Sequence, residues 1–361
     1  MKFTVAFDGR EEARDSVVEA LVATCLAHGD EFSEPSNGLN YALNVMSKDE
    51  LRHFRRKSQS VFVFGVIQDT PEGEFKSRCY TALVRSLSNL LLCVTPSETG
   101  GVPEIFFTTP EAGFYHVPFD PEEVYRRILP IASAHFATEN VFSADLPERL
   151  HKGSERTEEL FRYGKELESM GVLPVPFPLK EILTEEALRQ LYKIYGITGA
   201  SYGNLSVREC VPELSSCAFW MTGRGVNKAD LRVIGKDMLL VKGFDWAAGA
   251  ALIAQPPLAD PRARVSVDAV EHSLIYRTYP GVGAIVHAHA WINGAECTRQ
   301  NFPCGTRELA EEVAGLMQRV EDPTRAVVGL KNHGLTMTGH SLEDIFSRVR
   351  GKLLREVAMF A

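Results

Sequence analysis

The apolar segment Val282-Gly283-Ala284-Ile285-Val286-His287-Ala288-His289-Ala290 determines how the second half of this chain folds. Its apolar residues predict a buried strand. Successive side chains of a strand point to opposite faces, so His287 and His289 emerge side by side on one face. Because each buried imidazole nitrogen needs a partner, the pair indicates either a divalent-metal site or an internal hydrogen-bond network.

A third histidine favours the metal site. His333, in Lys331-Asn332-His333-Gly334, follows the apolar run at 326–330, which is typical of a neighbouring strand. From there His333 can supply a third imidazole ligand to the ion. Cys297 and Cys304 follow the histidine strand and could also approach a metal, although free cysteine is commonly a small buried hydrophobe.

The bulk properties of the 361 residues limit the class of protein. The length predicts two domains, and the formal charge of -8 argues against nucleic acid as the main partner. The amino terminus has no signal-peptide pattern, and no apolar run reaches the roughly 18 residues that span a bilayer. Seven scattered cysteines indicate reduced thiols. We therefore expect a cytoplasmic protein with no membrane partner.

The first 145 residues predict a separate N-terminal α/β or α+β domain whose role the sequence does not reveal. Strand patterns at 4–7, 61–67, 90–94 and 104–107 alternate with helix patterns at 11–27, 76–88 and 121–136. The polar stretch at 144–154 has no clear periodicity, so the junction is expected there. The second domain is then expected over 155–361.

The second domain begins with a helix pattern at 155–170 and the proline-spaced connector at 174–178. Further helices are predicted at 180–195, 267–278 and 306–320, and further strands at 205–208, 218–222, 238–241, 326–330 and 335–338. The last helix opens with Ser341-x-x-Asp344, a capping-box spacing. Its apolar stripe predicts core packing or a subunit contact and consists of Leu342, Ile345, Phe346, Val349, Leu353 and Val357.

Three short motifs surround the histidines and suit an anionic ligand. Ser201-Tyr202-Gly203-Asn204-Leu205-Ser206 is a turn that can aim backbone N–H groups and an amide at an anion. In Thr222-Gly223-Arg224-Gly225, the glycines allow close backbone approach, and Arg224 can bind a phosphate or carboxylate bidentately. Arg264-Val265-Ser266-Val267-Asp268 leads into the helix before the histidine strand. Taken singly, these motifs are also typical of ordinary turns and an N-cap.

The order of these motifs resembles that of the class II aldolase/adducin family, over residues 180 to 361. Gly203-Asn204-Leu205-Ser206 is followed by Thr222-Gly223-Arg224-Gly225, then by Ser266-Val267-Asp268, the histidine strand and Asn332-His333-Gly334. The resemblance implies a mostly antiparallel sheet flanked by helices, in a homo-oligomer, usually a tetramer with sites between subunits. The first half of the chain lies outside it.

The resemblance also implies a site and its chemistry. His287, His289 and His333 would bind zinc or another divalent ion, with iron, manganese and cobalt as alternatives. Asp268 would be the catalytic residue, as a metal ligand or as a base beside the metal, and Ser201, Asn204 and Ser266, with Arg224 and Gly225, would bind the anionic group. The family's metal polarises a carbonyl or hydroxyl of a small sugar phosphate or related acid and stabilises an enediolate.

This sequence departs from the family in three places. Asp268 stands where the aldolases have glutamate and the pentulose-phosphate epimerases have aspartate. Val267 replaces a serine, and Arg224 replaces a small hydroxyl, so a carboxylate is as plausible an anion as a phosphate. The segment 291–303 is short, whereas many family enzymes have further acid/base residues there. The missing groups would come from the N-terminal domain or a neighbouring subunit.

Three functions remain open on the sequence. The first is a metal-dependent lyase or isomerase, of the aldolase, epimerase or dehydratase type, acting on a small anionic hydroxy-carbonyl compound. The second is an iron-dependent oxygenase or decarboxylase that uses the same histidines. The third is a non-catalytic adducin-like scaffold, against which the three histidines argue.

Overall fold

The computed structural model describes residues 1–35, 38–56, 61–97, 100–173, 184–186, 188–189, 202–215 and 218–360. These residues form two compact units. The first consists mainly of Met1–Ala134, and the second of the described residues within His135–Val175 and Gly196–Ala358. No helix in these described ranges is both long enough and apolar enough to cross a membrane.

The first unit is built on a seven-stranded sheet with the order β2-β1-β3-β4-β5-β6-β7. The strands are Lys2–Phe7 (β1), Glu31–Phe32 (β2), Tyr41–Val45 (β3), Phe62–Gln68 (β4), Leu90–Thr95 (β5), Glu104–Thr108 (β6) and Phe114–Pro118 (β7). The pairs from β2 to β5 are parallel, and β6 and β7 are added antiparallel. The helices are Glu12–Ala27 (α1), Phe75–Arg85 (α2) and Pro121–Ala132 (α3).

The second unit contains a nine-stranded sheet with the order β14-β15-β16-β13-β9-β10-β11-β12-β8. The strands are Glu139–Ser143 (β8), Asn204–Arg208 (β9), Phe219–Thr222 (β10), Met238–Asp245 (β11), Ala250–Ala254 (β12), Ala284–Ala288 (β13), Glu296–Cys297 (β14), Val327–Leu330 (β15) and Gly334–Gly339 (β16). Only the outermost pairs, β12 with β8 and β14 with β15, are parallel within this described sheet. The helices are Glu155–Ser169 (α4), Ala269–Thr278 (α5), Arg307–Met317 (α6) and Leu342–Val349 (α7).

Both faces of this sheet are buried because its strands alternate between two apolar cores. Val286 of β13 packs on the face covered by α4 and α7, together with Leu160 and Ile345. Ile285 faces the opposite way and packs with Val313 of α6 and Ile275 of α5. The predicted class of fold, a mostly antiparallel sheet flanked by helices and preceded by an additional α/β region, is confirmed. His287, two residues after Ile285, lies on the α5 face.

The sequence-based expectation for the last helix was wrong in its length. Ser341 accepts a hydrogen bond from the amide of Asp344 at 3.1 Å, as the capping spacing predicts, but the Asp344 carboxylate accepts from the amide of His340. The helix ends at Val349, because Gly351 takes up a left-handed conformation with φ of 71°. Leu353 and Val357 pack on the core from the following segment, where they are partly buried.

Other expectations concern residues outside the described ranges or the position of the junction. The connector at 174–178, Ser201 and nearly all of the predicted helix at 180–195 lie outside the described residues. The strand β8 precedes the expected junction at 144–154, and it pairs with β12 in the second sheet.

Candidate metal centre

Three imidazole rings converge at one end of β13. His287 lies inside this strand, His289 follows directly after its end, and His333 lies in the turn that joins β15 to β16. The ring centroids are 5.2 Å apart for His287 and His289, 4.8 Å for His287 and His333, and 4.9 Å for His289 and His333. One ligand atom of each residue lies within 4.8 Å of the other two. The antiparallel pairing of β13 with β16 produces this convergence.

The hydrogen bonds of the rings leave nitrogen atoms facing a common point. His287 Nδ1 lies 3.0 Å from the carbonyl oxygen of Leu335, and donation there leaves Nε2 as the lone-pair nitrogen. His289 Nε2 and His333 Nε2 lie 3.2 Å apart. Among the described residues, neither His287 Nε2 nor His289 Nδ1 has a hydrogen-bond partner, although both atoms are buried. Buried polar atoms without partners are rare, and a bound ion would satisfy His287 Nε2.

Burial keeps the three imidazoles neutral. Desolvation lowers the pKa of His287, although the charge of Asp268 opposes the shift. The pKa values of His289 and His333 lie well below the usual range for the same reason, with the neighbouring imidazoles adding to the shift. Neutral imidazoles retain the lone pairs that a metal ion requires.

Asp268 and Asn204 lie together beside His287. Asn204 is directly opposite His287 in the pairing of β9 with β13. Its amide nitrogen donates to Asp268 Oδ2 at 2.6 Å, and both side chains are buried. Asp268 precedes α5 without capping it through its side chain, so the carboxylate is directed to Asn204 instead of to the helix amides.

The other predicted anion-binding residues form a separate set of contacts. The guanidinium of Arg224 donates to the carbonyl of Thr138 at 3.2 Å, and its amide donates to the carbonyl of Arg264. The amide of Ser266 donates to the carbonyl of Thr222, and Gly225 has a φ of 66°. These contacts do not connect Arg224, Gly225 or Ser266 with the histidines. Their role in binding an anion stays a prediction, as does that of Ser201.

Cys304 lies beside the histidines. The sequence indicates both Cys297 and Cys304 as residues that could approach a metal, without favouring either. The Sγ of Cys304 is 3.1 Å from His333 Nε2, and this residue shares a potential ligand group with Asp268 and His287. Cys297 instead lies in β14, where it is opposite Gly329 of β15. The two cysteines are separated by only six residues, so the turn that brings one of them to the site could not be read from spacing alone.

Two buried ionisable residues near Asp268 were not predicted. Glu271 is one helical turn after Asp268, and burial followed by the charge of Asp268 raises its pKa to about 8. The hydroxyl of Thr336 donates to Glu271 Oε1 at 2.7 Å. Burial lowers the pKa of Lys228 to about 8, against the charges of Glu168 and Asp268. The i,i+3 spacing of Asp268 and Glu271 could have indicated their shared helix face.

His272, next to Glu271 on α5, is buried but separate from the convergent trio. Its Nδ1 lies 2.8 Å from the hydroxyl of Ser206, which also lies 2.8 Å from the hydroxyl of Tyr276. Burial, with a smaller contribution from His287, lowers the pKa of His272 to about 3. This histidine therefore stays neutral, in a hydrogen-bond network of the kind that was the alternative for His287 and His289.

Comparisons with known proteins agree with the family indicated by the sequence. Residues 185–300 match the family model described as "Class II Aldolase and Adducin N-terminal domain". This region of the chain is therefore a class II aldolase/adducin domain, and the resemblance read from the motifs is confirmed. The match includes Asp268, His287 and His289 and ends before Cys304 and His333.

Two solved structures that are similar to this chain share low sequence identity with it. One is YgbL from Klebsiella pneumoniae, which is 20% identical over 54% of this chain and 84% of its own, with a TM-score of 0.34. Another is an aldolase II superfamily protein from Pseudomonas syringae, 15% identical over 53% of this chain and 71% of its own, with a TM-score of 0.31. The comparison with curated proteins gives no match.

Proposed function

We propose that this protein is a divalent-metal-dependent lyase or isomerase that acts on a small anionic hydroxy-carbonyl compound or sugar phosphate through an enediolate. The observation that supports this most directly is the convergence of His287, His289 and His333 around buried nitrogens, beside the carboxylate of Asp268. A scaffold has no need of such a cluster, because unpartnered buried polar atoms reduce stability.

The donor set fits a divalent ion such as zinc, for which neutral imidazoles are common ligands. His287, His289 and His333 would hold it. The hydrogen bond from His287 Nδ1 to the carbonyl of Leu335 would fix the ring and leave Nε2 for the ion. When bound, a divalent ion supplies a Lewis acid that stabilises negative charge on a substrate oxygen.

The protein's own groups would bind and deprotonate the substrate. Asp268 would take a proton from the carbon next to the substrate carbonyl. The amide of Asn204, which donates to Asp268 Oδ2, would hold the carboxylate in place and leave Oδ1 for the proton. Arg224, Gly225, Ser201 and Ser266 would receive the anionic group. Glu271, whose pKa is raised to about 8 by burial and then by the charge of Asp268, would be protonated at neutral pH.

Metal content of the purified protein tests this proposal first. We expect about one equivalent of zinc, manganese or cobalt in the wild type, and well below one equivalent in the His289→Ala variant after the same purification. The matched control is His340→Ala, because His340 is an exposed histidine in the same unit. No stoichiometric metal in the wild type, even after reconstitution, would overturn the proposal. Stoichiometric iron with oxygen consumption would favour the oxygenase instead.

The variant Asp268→Asn separates metal binding from chemistry. It keeps the size of the side chain and should retain the metal, while turnover of the active substrate falls by about 10²- to 10⁴-fold. Substrates would be sought among sugar phosphates and hydroxy acids, with retro-aldol cleavage, epimerisation, dehydration and decarboxylation as assays. Unchanged turnover in Asp268→Asn would exclude Asp268 as the acid/base.

The proposal extends to assembly and location. We expect a cytoplasmic homo-oligomer, in the form of a tetramer, in which a neighbouring subunit could contribute a further acid or base. Size-exclusion chromatography with light scattering tests this, and a monomeric active enzyme would contradict it.

A further inference from the structure

A turn before α6 holds Cys304 at the histidine cluster. The hydroxyl of Thr306 donates to the carbonyl of Pro303 at 2.7 Å and accepts a hydrogen bond from the amide of Leu309 at 3.4 Å. The first contact closes the turn across Cys304–Gly305, and the second holds Thr306 at the start of the helix. Cys304 Sγ consequently lies 3.1 Å from His333 Nε2 and 3.9 Å from His333 Nδ1.

A second group of potential ligands overlaps with the three histidines. Ligand atoms of Asp268, His287 and Cys304 all lie within 4.8 Å of one another, as do those of His287, His289 and His333. The two groups share His287, whose side chain is 1% exposed. Its Nε2 has no hydrogen-bond partner in the described part of the chain. This buried nitrogen points to a ligand independently of the cysteine.

We propose that Cys304 is a fourth protein ligand of the metal ion, so that the site offers three imidazole nitrogens and one thiolate sulfur. This inference rests on the proposed function, because it assumes that the histidines bind an ion. Asp268 is not needed as a ligand in this arrangement, since Asn204 already holds its Oδ2. The carboxylate then stays available for proton transfer.

A sulfur ligand restricts the metals that the site selects. Thiolate is a soft ligand that favours zinc and cobalt over magnesium and manganese. Four protein ligands also complete a tetrahedral set. A substrate oxygen would then bind as a fifth ligand or in place of the sulfur. The proposal thus predicts the class of metal that the site selects.

Cobalt substitution provides a readout that does not depend on activity. The purified full-length protein would be stripped of metal and loaded with one equivalent of Co²⁺, and its absorption spectrum recorded. We expect a near-ultraviolet thiolate-to-cobalt charge-transfer band in the wild type. The band should be lost in Cys304→Ser, while the variant still binds Co²⁺ through three imidazoles. It should persist in Cys297→Ser, the matched control, because Cys297 lies in β14.

Competition with a chelator then measures the strength of the sulfur ligand. Loss of a direct ligand should weaken zinc binding by about 10- to 100-fold or more in Cys304→Ser, because even outer partners of metal ligands contribute that much. Cys297→Ser should leave the affinity unchanged. Equal zinc affinity in Cys304→Ser and the wild type would overturn the proposal.

The outcomes distinguish this inference from the proposed function. Stoichiometric Co²⁺ in the wild type without a thiolate band would overturn the sulfur ligand and leave the histidine centre intact. Failure of the wild type to bind Co²⁺ or Zn²⁺ would overturn both. If Cys304→Ser does not fold, alkylation of the wild type followed by peptide mapping replaces it. Protection of Cys304 by zinc supports the proposal, and equal labelling with and without zinc contradicts it.

Discussion

Two buried cationic or basic groups, Arg14 of the first unit and His287 of the second, differ in whether every side-chain nitrogen has a partner among the described residues. In the first unit, the fully buried guanidinium of Arg14 is bound by Glu11, by Asp15 and by two backbone carbonyls. In the second unit, the buried imidazoles face one another, and His287 Nε2 has no partner among the described residues. A network whose charges satisfy one another indicates a structural role, whereas a buried lone-pair nitrogen without a partner, beside other imidazoles, indicates a ligand. The comparison therefore favours the second unit as the place of the proposed metal centre.

The largest expected effect is that of His287→Ala, which removes a residue that belongs to two of the potential ligand groups. We expect the stoichiometric metal to be lost and turnover to fall by at least about 10³-fold, since the remaining imidazoles cannot retain the ion at working concentrations. The stability of the metal-free protein should change much less than in a typical core truncation, because burying this imidazole is costly. Elemental analysis and denaturant unfolding of the metal-free protein check both parts. Metal retained at full occupancy would remove the contrast between the two units.

Arg14→Leu should reduce the stability of the protein and leave its metal content unchanged, the reverse of the effect expected for His287→Ala. Removing a buried cation leaves Glu11 and Asp15 without their partner, which costs about 3–5 kcal/mol of unfolding free energy. Circular dichroism follows the whole chain, whereas fluorescence follows the second unit, which contains all three tryptophans, Trp220, Trp246 and Trp291. The dichroism transition should shift to lower denaturant, with the metal content unchanged. Loss of metal in this variant would mean that the Arg14 network is not purely structural.

Glu271 should make the unfolding free energy of the metal-free protein depend on pH. Its carboxyl has a pKa of about 8 in the folded protein, against an ordinary value of 4.5, so the folded state binds an extra proton between these pH values. Stability should therefore fall as the pH rises from 4.5 towards 8, by up to about 3 kcal/mol at pH 7. Glu271→Gln keeps the bond from Thr336 and cannot ionise. Unfolding free energies of both proteins across this range should diverge with pH, and parallel curves would contradict the prediction.

The smallest expected effect concerns an exposed member of an ion-pair network in the first unit. Lys48 Nζ contacts Asp69 Oδ1 at 2.8 Å, but Arg78 contacts the other oxygen of the same carboxylate. Lys48→Met should therefore cost less than about 1 kcal/mol, because the lysine is 44% exposed and Asp69 keeps one partner. Denaturant unfolding measures the loss. A cost of several kcal/mol would show that the pair acts as a buried one.

Local patterns predicted most of the secondary structure described. The apolar run at 90–94 became Leu90–Thr95, and the histidine run became a strand at Ala284–Ala288. Tyr41–Val45 was missed, because Asn44 interrupts its apolar pattern. In the fold that amide is buried, where it donates to the carbonyl of Arg52 at 2.8 Å. This contact forms only in the folded chain, so the hydrophobic periodicity of the sequence could not indicate that Asn44 is buried in a strand.

The candidate site was predictable to the extent that its residues share one strand or one motif. The alternation of side chains along a strand placed His287 and His289 together, and an adjoining strand accounted for His333. Cys304 lies in a turn and Lys228 in a short 3₁₀ helix far from it in sequence, so no spacing rule connects them with the histidines. The partly buried Cys304 comes close to His333, and the buried Lys228 close to Asp268, only in the folded chain.

Two glycines, Gly203 and Gly334, allow the backbone to approach closely at this site. A Cβ atom on Gly203 would lie 2.5 Å from the carbonyl oxygen of His287, and one on Gly334 would lie 2.4 Å from that of Ala288. A methyl group at either glycine would therefore push the neighbouring backbone away from β13. In the evolution of such a site, the two glycines that give it room would be hard to replace.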